Sequence, residues 1–464
     1  MQTAPDFLWV FLALPLVAAM GVTVALLAQP ERMHLRSDKA QQLALACAAG
    51  LSLNYALGTL LSDLRWVLIA GGAIAAASLA WALARQPHAL AGLLAMGWIR
   101  WLLSAALVLG AAGAILFEPL QGWDARSVWF FSARRIFFGD GLVASPGWTN
   151  RAYGFSHGDY PKLLPLLAAQ FAHAWGLWNE FIPKASLLVL LAPIVIAFMG
   201  LARRMGLSLL FLAAGLLLGT KEFLWNGYAD TYLCLYAVVG MLYLARWLTT
   251  SAPLDLACGG AFLGVAANLK NEGLLVVLCV GASLIAWFCV SASARSAQRS
   301  LRWPAGVWIA LLLPCLGFIA WTFIKQQWQL ANDMEIGAGS AVRVWQRLQE
   351  GRLPLVAQFL VVQSGAGTAA ALFLGTALLA RILQTTVPDS AAFPALVATL
   401  YSAGMFLVYL ATPHDVAWHL ATSAERTMML ALFAYLGSTF LVLQAMESPS
   451  PARFAAIQQP GLNP

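Results

Sequence analysis

Long apolar runs recur along most of the chain, and they constrain its fold more than any other feature. A transmembrane α-helix needs roughly 20 predominantly apolar residues to cross the hydrocarbon core of a bilayer. Charged residues make up only 10% of this chain, whereas a soluble domain has about 25%. The sequence therefore predicts an all-α, polytopic membrane protein without a soluble domain of useful size.

We predict about thirteen transmembrane helices from the apolar runs. They lie near 7–28, 40–61, 65–84, 97–117, 183–202, 206–224, 231–248, 255–269, 273–290, 304–323, 359–381, 392–411 and 427–445. Two further segments, Val128–Phe138 and 161–178, are predicted to be short helices at the membrane surface. In the first of them, aromatic residues alternate with arginines, as is typical of an interfacial helix. The segment 255–269 is short and could form a broken pair with 273–290.

Basic residues set the predicted orientation, because short cytoplasmic loops are enriched in Lys and Arg. The connections assigned to the cytoplasm contain Arg32, Arg36, Lys39, Arg85, Arg100, Arg203, Arg204, Arg246, Arg295, Arg299 and Arg302. This arrangement places the N-terminus outside, together with the polar segment that follows residue 117. No basic residue precedes the first apolar run, which favours a retained helix over a cleaved signal peptide.

The chain then divides into five parts. These are N-terminal transmembrane helices (1–117), an outer loop (118–182), a transmembrane core (183–324), a second outer loop (325–358), and C-terminal transmembrane helices with a cytoplasmic tail (359–464). The cysteines all fall inside apolar runs and have no spacing typical of a metal site, so we expect buried, inert thiols.

Four polar clusters lie at the predicted outer ends of helices, although they are far apart in the chain. They are Trp123-Asp124-Ala125-Arg126, Gly227-Tyr228-Ala229-Asp230, Asn268-Leu269-Lys270-Asn271-Glu272-Gly273, and Thr412 to His419 followed by Ser423, Glu425 and Arg426. Ionisable groups at membrane depth are costly and are functional candidates by default. We therefore expect the four clusters to meet at one outer face.

Each of these residues also has a purely structural interpretation. Asp124 and Asp230 could each cap the helix that begins beside it. Lys270 and Glu272 could form an ion pair that closes a helical turn, and Arg426 could anchor the last helix at the interface. The histidines could hold a metal ion or, as we favour, only contribute to an interface; they are His157, His414 and His419.

The predicted outer face carries many basic residues. They are Arg126, Arg134, Arg135, Arg151, Lys162, Lys184, Lys221, Lys270, Arg343, Arg347, Arg352 and Arg426. A long translocated loop tolerates such charges. Basic residues near a bilayer face can also bind an anionic head group, for which phosphate is the obvious candidate.

At these clusters the chain resembles the GT-C class of integral-membrane glycosyltransferases, which includes protein O-mannosyltransferases and the lipid A aminoarabinose transferase. The resemblance is an ordered series: Asp124 in the first large outer loop, surface helices after it, the site Tyr228-Ala229-Asp230, and the lysine segment 269–273. The stretches 157–161 and 412–426 are similar to patterns in uncharacterised bacterial members. The chain departs from these relatives in its four predicted spans before the first outer loop and in having no C-terminal periplasmic domain.

The resemblance implies a role for each site residue. Asp124 would be the general base, and Asp230 would position the acceptor or, together with Asp124, hold a divalent metal cation. Lys270 and Arg426 would bind the phosphate of a polyprenyl-phosphate sugar. The donor side would further contain Arg126 and Glu272, and the acceptor side or cavity would contain His157, Asp159, Tyr160, His414, Asp415 and His419.

The implied activity is inverting transfer of a sugar from a polyprenyl-phosphate donor, on the periplasmic side of a bacterial inner membrane. The acceptor would be a glycan, a lipid or a protein, and no nucleic acid would be bound. Physical reasoning supports this scheme, because a polyprenyl chain dissolves only in the bilayer and its phosphate must lie at the interface. Cations there would stabilise the leaving phosphate, and one carboxylate suffices as a base.

Two other classes of function remain open. A lipid-linked glycan flippase or transporter would be expected to have charged residues in mid-span, broken helices and an inverted repeat. A non-catalytic membrane subunit that binds a lipid-linked glycan is a further alternative. Cleavage of the bond between sugar and lipid phosphate distinguishes an enzyme from both.

Overall fold

The computed structural model describes residues 8–28, 38–93, 95–143, 147–202, 206–290, 303–330, 332, 334 and 337–447. All regular secondary structure in these residues is helical. Several of the predicted basic connections lie outside the described residues, namely Arg32, Arg36, Arg203, Arg204, Arg295, Arg299 and Arg302. Most of the predicted cytoplasmic tail lies outside them as well.

Five helices precede the first outer segment: α1 (Leu8–Leu27), α2 (Lys39–Leu60), α3 (Leu64–Arg85), α4 (Pro87–Leu93) and α5 (Trp98–Phe117). Glycines bring the backbones of α1 and α2 into direct contact. A Cβ atom added to Gly21 would lie 1.9 Å from the carbonyl oxygen of Ala46, and one added to Gly50 would lie 1.8 Å from that of Val17. Small residues allow such close packing in membrane helices, and α2 is buried along most of its length.

The first outer segment contains two longer helices. A π-helical turn, Ala125–Trp129, leads into α6 (Phe130–Phe138), and a short 3₁₀ helix, Arg151–Ser156, precedes α7 (Leu163–Trp175). One face of α6 is exposed. The segment predicted at 161–178 forms a helix, α7, in which every residue from its start to Ala172 is buried by protein.

Six helices form the central part: α8 (Ser186–Leu201), α9 (Leu207–Thr220), α10 (Ala229–Thr250), α11 (Pro253–Ala267), α12 (Glu272–Val290) and α13 (Ala305–Gln327). Short 3₁₀ turns precede α8 and follow α9. Two tyrosines of α10 join it to α8, since the hydroxyl of Tyr236 donates to the carbonyl of Leu190 and that of Tyr243 to Ala197, each at 3.0 Å. Such bonds are favourable inside a membrane protein, where backbone groups have few other partners.

The C-terminal part contains α14 (Ala338–Gln349), α15 (Leu353–Ala357, continued by a π-helix to Gln363), α16 (Ala366–Ile382), α17 (Phe393–Ala411) and α18 (Val416–Met446). The second predicted outer loop is therefore partly helical. The chain bends by 59° between α15 and α16, where Gly365 has a φ of +76° that favours glycine. α18 begins eleven residues before the predicted span 427–445, so Glu425 and Arg426 lie on a helix.

In the described residues, ten helices are long and apolar enough to cross a membrane, and the bent pair would be an eleventh. Two further predicted spans correspond to shorter apolar helices, one over Leu12–Leu27 and the other α11. Every predicted span thus coincides with a helix. The all-α prediction is confirmed, and the helices are compatible with a polytopic membrane protein.

Close backbone contact between α1 and α2 yields a test of the fold. Gly50→Ala should lower the apparent melting temperature of the detergent-solubilised protein, because the added methyl group would meet a backbone carbonyl. Overpacking of this kind costs about 1–3 kcal/mol. The matched control is Gly72→Ala in α3, where no atom lies within 4 Å of the added Cβ and alanine is the better helix former. Equal melting temperatures for the two variants would contradict the close contact.

Candidate functional site

A cavity of about 800 Å³ lies where the ends of several helices meet the segment that contains Asp124. Its walls include the start of α12, the first turns of α18 and the last turns of α17. The charged and imidazole side chains that line it are Asp124, His157, Lys270, Glu272, His414, His419, Glu425 and Arg426. Each of the four polar clusters contributes to this region, so the sequence correctly predicts that they meet.

Five charged side chains form one continuous chain of ion pairs at the cavity. The ammonium of Lys270 lies 2.7 Å from Glu272 Oε1 and 2.8 Å from Asp230 Oδ1. The guanidinium of Arg426 lies 3.7 Å from Asp230 Oδ2 and 2.5 Å from Asp124 Oδ2. Asp230 is only 3% exposed and lies behind the cavity wall. Three carboxylates against two cations leave one net negative charge.

A tight turn between α11 and α12 holds Lys270 in place. The side-chain amide of Asn268 donates to the carbonyls of Gly264 and Pro314, at 2.9 and 3.0 Å, and so fixes the turn against α13. A Cβ atom added to Gly273 would lie 2.3 Å from the carbonyl oxygen of Ala266, so only glycine allows α12 to start so close to α11.

The charge of Lys270 depends on its two carboxylate partners. Burial disfavours the ammonium, but the nearby charges of Asp230 and Glu272 outweigh it and raise the pKa of Lys270 well above its ordinary value. Lys270 is therefore a permanent cation at neutral pH. The predicted ion pair between Lys270 and Glu272 is present, and it does not exclude a role in binding a ligand.

Arg426 has two further contacts besides its ion pairs with Asp124 and Asp230. Its Nη2 donates to the carbonyl of Thr422 at 3.1 Å. The ring of Tyr228 lies 4.7 Å from its guanidinium carbon, a cation–π arrangement. Gly122 makes room for that ring, since an added Cβ atom would lie 2.2 Å from Tyr228 Cε2. Arg426 thus points toward the cavity rather than anchoring the end of its helix.

The capping interpretation does not describe the two aspartates. Asp124 precedes the π-helical turn, but its side chain makes no capping hydrogen bond and pairs with Arg426 instead. Asp230 lies in the first turn of α10, where the helix dipole stabilises a negative charge. Its carboxylate accepts a hydrogen bond from Lys270. Both carboxylates are therefore part of the ion-pair chain.

Asp159 lies behind the cavity and positions two asparagines that line it. Its Oδ2 atom accepts hydrogen bonds from the side-chain amides of Asn271 and Asn332, at 2.6 and 2.9 Å. Its backbone carbonyl accepts from Trp321 Nε1 at 3.1 Å. Asp159 therefore does not line the cavity itself. It instead joins the first outer segment to the Lys270 turn and to the segment before α14.

His157, Tyr160, His414 and His419 line the cavity, in contact with other rings. His157 stacks on Tyr160, with ring centres 4.7 Å apart. The ring centre of His419 lies 4.8 Å from that of Tyr409 and 5.8 Å from that of His414. Over the residues that the structure describes, no three His, Cys, Asp or Glu side chains are grouped so that they could hold a metal ion.

The two aspartates do not fit the metal site that the resemblance implies. Arg426 lies between Asp124 and Asp230 and contacts both, so a metal cation there would compete with a guanidinium. We therefore assign no step to a metal.

Besides Asp159 and Asp230, two further predicted site residues do not line the cavity. Arg126 follows Asp124 directly, but its side chain is exposed and does not line the cavity. Asp415 caps α18, because its carboxylate accepts from the backbone amide of Trp418 at 2.8 Å. Neither of them contacts the ion-pair chain. At the rim of the cavity, Lys221 pairs with Glu425, and both side chains are about half exposed.

Several lining residues are absent from the sequence-based prediction. The hydroxyl of Tyr409 is hydrogen-bonded to Ser423 Oγ and Thr427 Oγ1, at 2.8 and 2.9 Å. His419, Ser423 and Thr427 are spaced by four residues and so share one face of a helix. His419 and Ser423 belong to the predicted fourth cluster, and this spacing would have added Thr427 if α18 had been predicted to begin before 427. Asn332 gives no comparable signal, because it lies between helices.

No family model matches the chain, and no match is found among curated proteins or solved structures. The assignment of function therefore depends on the geometry of the site and on the chemistry of its residues.

A buried lysine beside the cavity has no carboxylate in direct contact among the described residues. Lys162 is fully buried, and its ammonium donates to the carbonyl of His157 at 3.1 Å and lies 4.8 Å from the ring centre of Trp148. Burial lowers the pKa of Lys162 to about 7; Asp159 opposes this shift, and nearby Arg135 adds to it.

The lowered pKa predicts a pH dependence of stability. Between about pH 7 and the ordinary lysine value of 10.5, the unfolded chain binds a proton at Lys162 that the folded chain does not, so stability should rise with pH. The apparent melting temperature should therefore increase across this window, and Lys162→Met should reduce the increase. Lys221→Met, at a half-exposed lysine, should keep the wild-type dependence. An unchanged dependence in Lys162→Met would show that other groups cause it.

Proposed function

We propose that the chain is an inverting GT-C-type glycosyltransferase that moves a sugar from a polyprenyl-phosphate donor to an acceptor hydroxyl. One observation carries the proposal: a carboxylate, Asp124, and two cations, Lys270 and Arg426, meet at a single cavity although they lie far apart in the chain. The thirteen predicted apolar segments would then all cross a bacterial inner membrane. The cavity would open on the periplasmic side.

The residues at the cavity suit each part of a direct displacement. Asp124 would accept the proton of the acceptor hydroxyl as its oxygen forms a bond to the anomeric carbon of the sugar. The bond between that carbon and the phosphate oxygen breaks, and the electron pair stays on the lipid phosphate. Lys270 and Arg426 would stabilise the charge that develops there. Attack opposite to the leaving group inverts the anomeric configuration.

The rim of the cavity suits a substrate that is dissolved in the membrane. Trp123 and Trp418 line it and are 69% and 58% exposed. Tryptophan rings are enriched where hydrocarbon meets water, which is where the phosphate of a polyprenyl lipid would lie. Leu275 and Met405 provide apolar contacts further along the wall. The acceptor would be a glycan, a lipid or a protein.

A flippase or transporter is the second candidate, and the bent pair of helices α15 and α16 favours it. Broken membrane helices are typical of secondary transporters, in which they form the binding site near the bilayer midplane. Here, however, Asp230 and Glu272 lie in the first turns of α10 and α12, and α15 and α16 contribute nothing to the cavity lining. This placement favours the enzyme.

The proposal predicts that Asp124→Asn abolishes sugar transfer while the protein still folds. Turnover should fall by at least about a hundredfold, because a general base contributes 10²–10⁴-fold. The assay incubates membranes that contain the protein with a labelled polyprenyl-phosphate sugar and follows release of the lipid phosphate. Movement of the intact lipid between leaflets without bond cleavage would support the flippase instead.

Asp415→Asn is the matched control for this assay. It removes the same charge, but Asp415 caps α18 and lies outside the cavity, and asparagine retains an oxygen that can cap that helix. Its turnover should stay close to that of the wild type. Wild-type turnover by Asp124→Asn would remove Asp124 from the mechanism.

A further inference from the structure

Both cations of the ion-pair chain already have carboxylate partners. Lys270 lies between Asp230 and Glu272, and Arg426 lies between Asp230 and Asp124. These five charged side chains together have one net negative charge before any substrate binds. A lipid phosphate adds at least one more, and like charges disfavour each other strongly in a partly buried site. Phosphate binding at these cations is therefore favoured when a carboxylate gives up its place.

The contact between Asp124 and Arg426 is the most exposed of the ion-pair chain; Lys270 and Glu272 also line the cavity, but their side chains are only 8% and 20% exposed. Both side chains of the Asp124–Arg426 contact line the cavity; that of Asp124 is 25% exposed and that of Arg426 is 12% exposed. The contact between Lys270 and Asp230 lies deeper, since Asp230 is 3% exposed and does not line the cavity. Removing a partner from a fully buried pair is costly, because it leaves an uncompensated charge without water.

Arg426 can lose Asp124 without losing its position. Its guanidinium also donates to the carbonyl of Thr422 and lies over the ring of Tyr228. Asp124, by contrast, has no capping hydrogen bond to the helix that follows it. The arginine is thus fixed by its surroundings, whereas the carboxylate is fixed mainly by the arginine.

We propose that the lipid phosphate replaces Asp124 at Arg426, and that this exchange releases Asp124 to act on the acceptor hydroxyl. The inference rests on the proposed function and deepens it. It makes Arg426 a positioning residue for Asp124 as well as a ligand of the phosphate. It also sets an order of binding, because the base becomes available only after the donor is in place. Water that enters before the donor then meets no free base.

The exchange predicts the direction in which Asp124→Asn changes phosphate affinity. The probe is undecaprenyl phosphate, and its binding is measured by native mass spectrometry on the full chain in detergent or neutral-lipid nanodiscs. If Asp124 competes with the phosphate for Arg426, the Asp124→Asn variant should bind the probe more tightly, on the order of tenfold. In this variant Arg426 is no longer paired with a carboxylate at position 124, so a larger fraction of the protein can bind phosphate. Arg426→Gln should weaken binding by a similar factor.

Glu425→Gln is the matched control. It removes one negative charge from the same cavity, but Glu425 pairs with Lys221 at the rim, so binding should change by no more than about twofold. The double variant Asp124→Asn with Arg426→Gln should bind no more tightly than Arg426→Gln alone, since the two effects act through one contact. Melting temperatures of all variants show whether each is folded.

The possible results separate the two proposals. Tighter binding by Asp124→Asn, lost in the double variant, supports the exchange. Weaker or unchanged binding by a folded Asp124→Asn, or equal tightening by Glu425→Gln, overturns the exchange and leaves the proposed function in place. Absence of binding by the folded wild type and by every variant overturns the proposed function, and this inference with it.

Discussion

Pairing of buried charges determines the geometry of the site, and the contact between Lys270 and Asp230 is at its centre. Loss of one partner from a buried pair costs about 3–5 kcal/mol, so the turn before α12 and the start of α10 must stay together. Arg426 of α18 faces the same Asp230 and brings in a third helix, while Asp124 attaches the first outer segment. The cavity is the space that these fixed ends enclose.

The opposite end of α10 is fixed by a second polar cluster. Arg246 donates to Asp255 Oδ1 through Nε at 2.8 Å and to the carbonyl of Gly200 at 2.9 Å, and Gln41 donates to the same carboxylate at 2.7 Å. These contacts join α2, α8, α10 and α11. Both ends of α10 are therefore held by charged or amide groups.

The sequence predicts the helices well, because an apolar run of bilayer length favours a helix whatever surrounds it. The same run does not distinguish lipid neighbours from protein neighbours, which is why 161–178 is predicted at a surface whereas α7 is buried. Asp124 and Asp415 both precede a helix, and spacing alone cannot separate the ion-paired residue from the cap. Asn332 contacts Asp159 across 173 positions, a proximity that only the folded chain creates.

The excess of carboxylates over cations affects how such a site would complete a turnover. The lipid phosphate product is a monoester and carries more negative charge than the donor, so a site with unpaired cations would release it slowly. Under the proposed exchange, Asp124 competes for Arg426 and displaces the product. Asp124 leaves the chemical step protonated, however, and a neutral carboxyl bonds a guanidinium more weakly than a carboxylate does. Loss of that proton would therefore precede release, and the protonation state of Asp124 would couple bond cleavage to departure of the product.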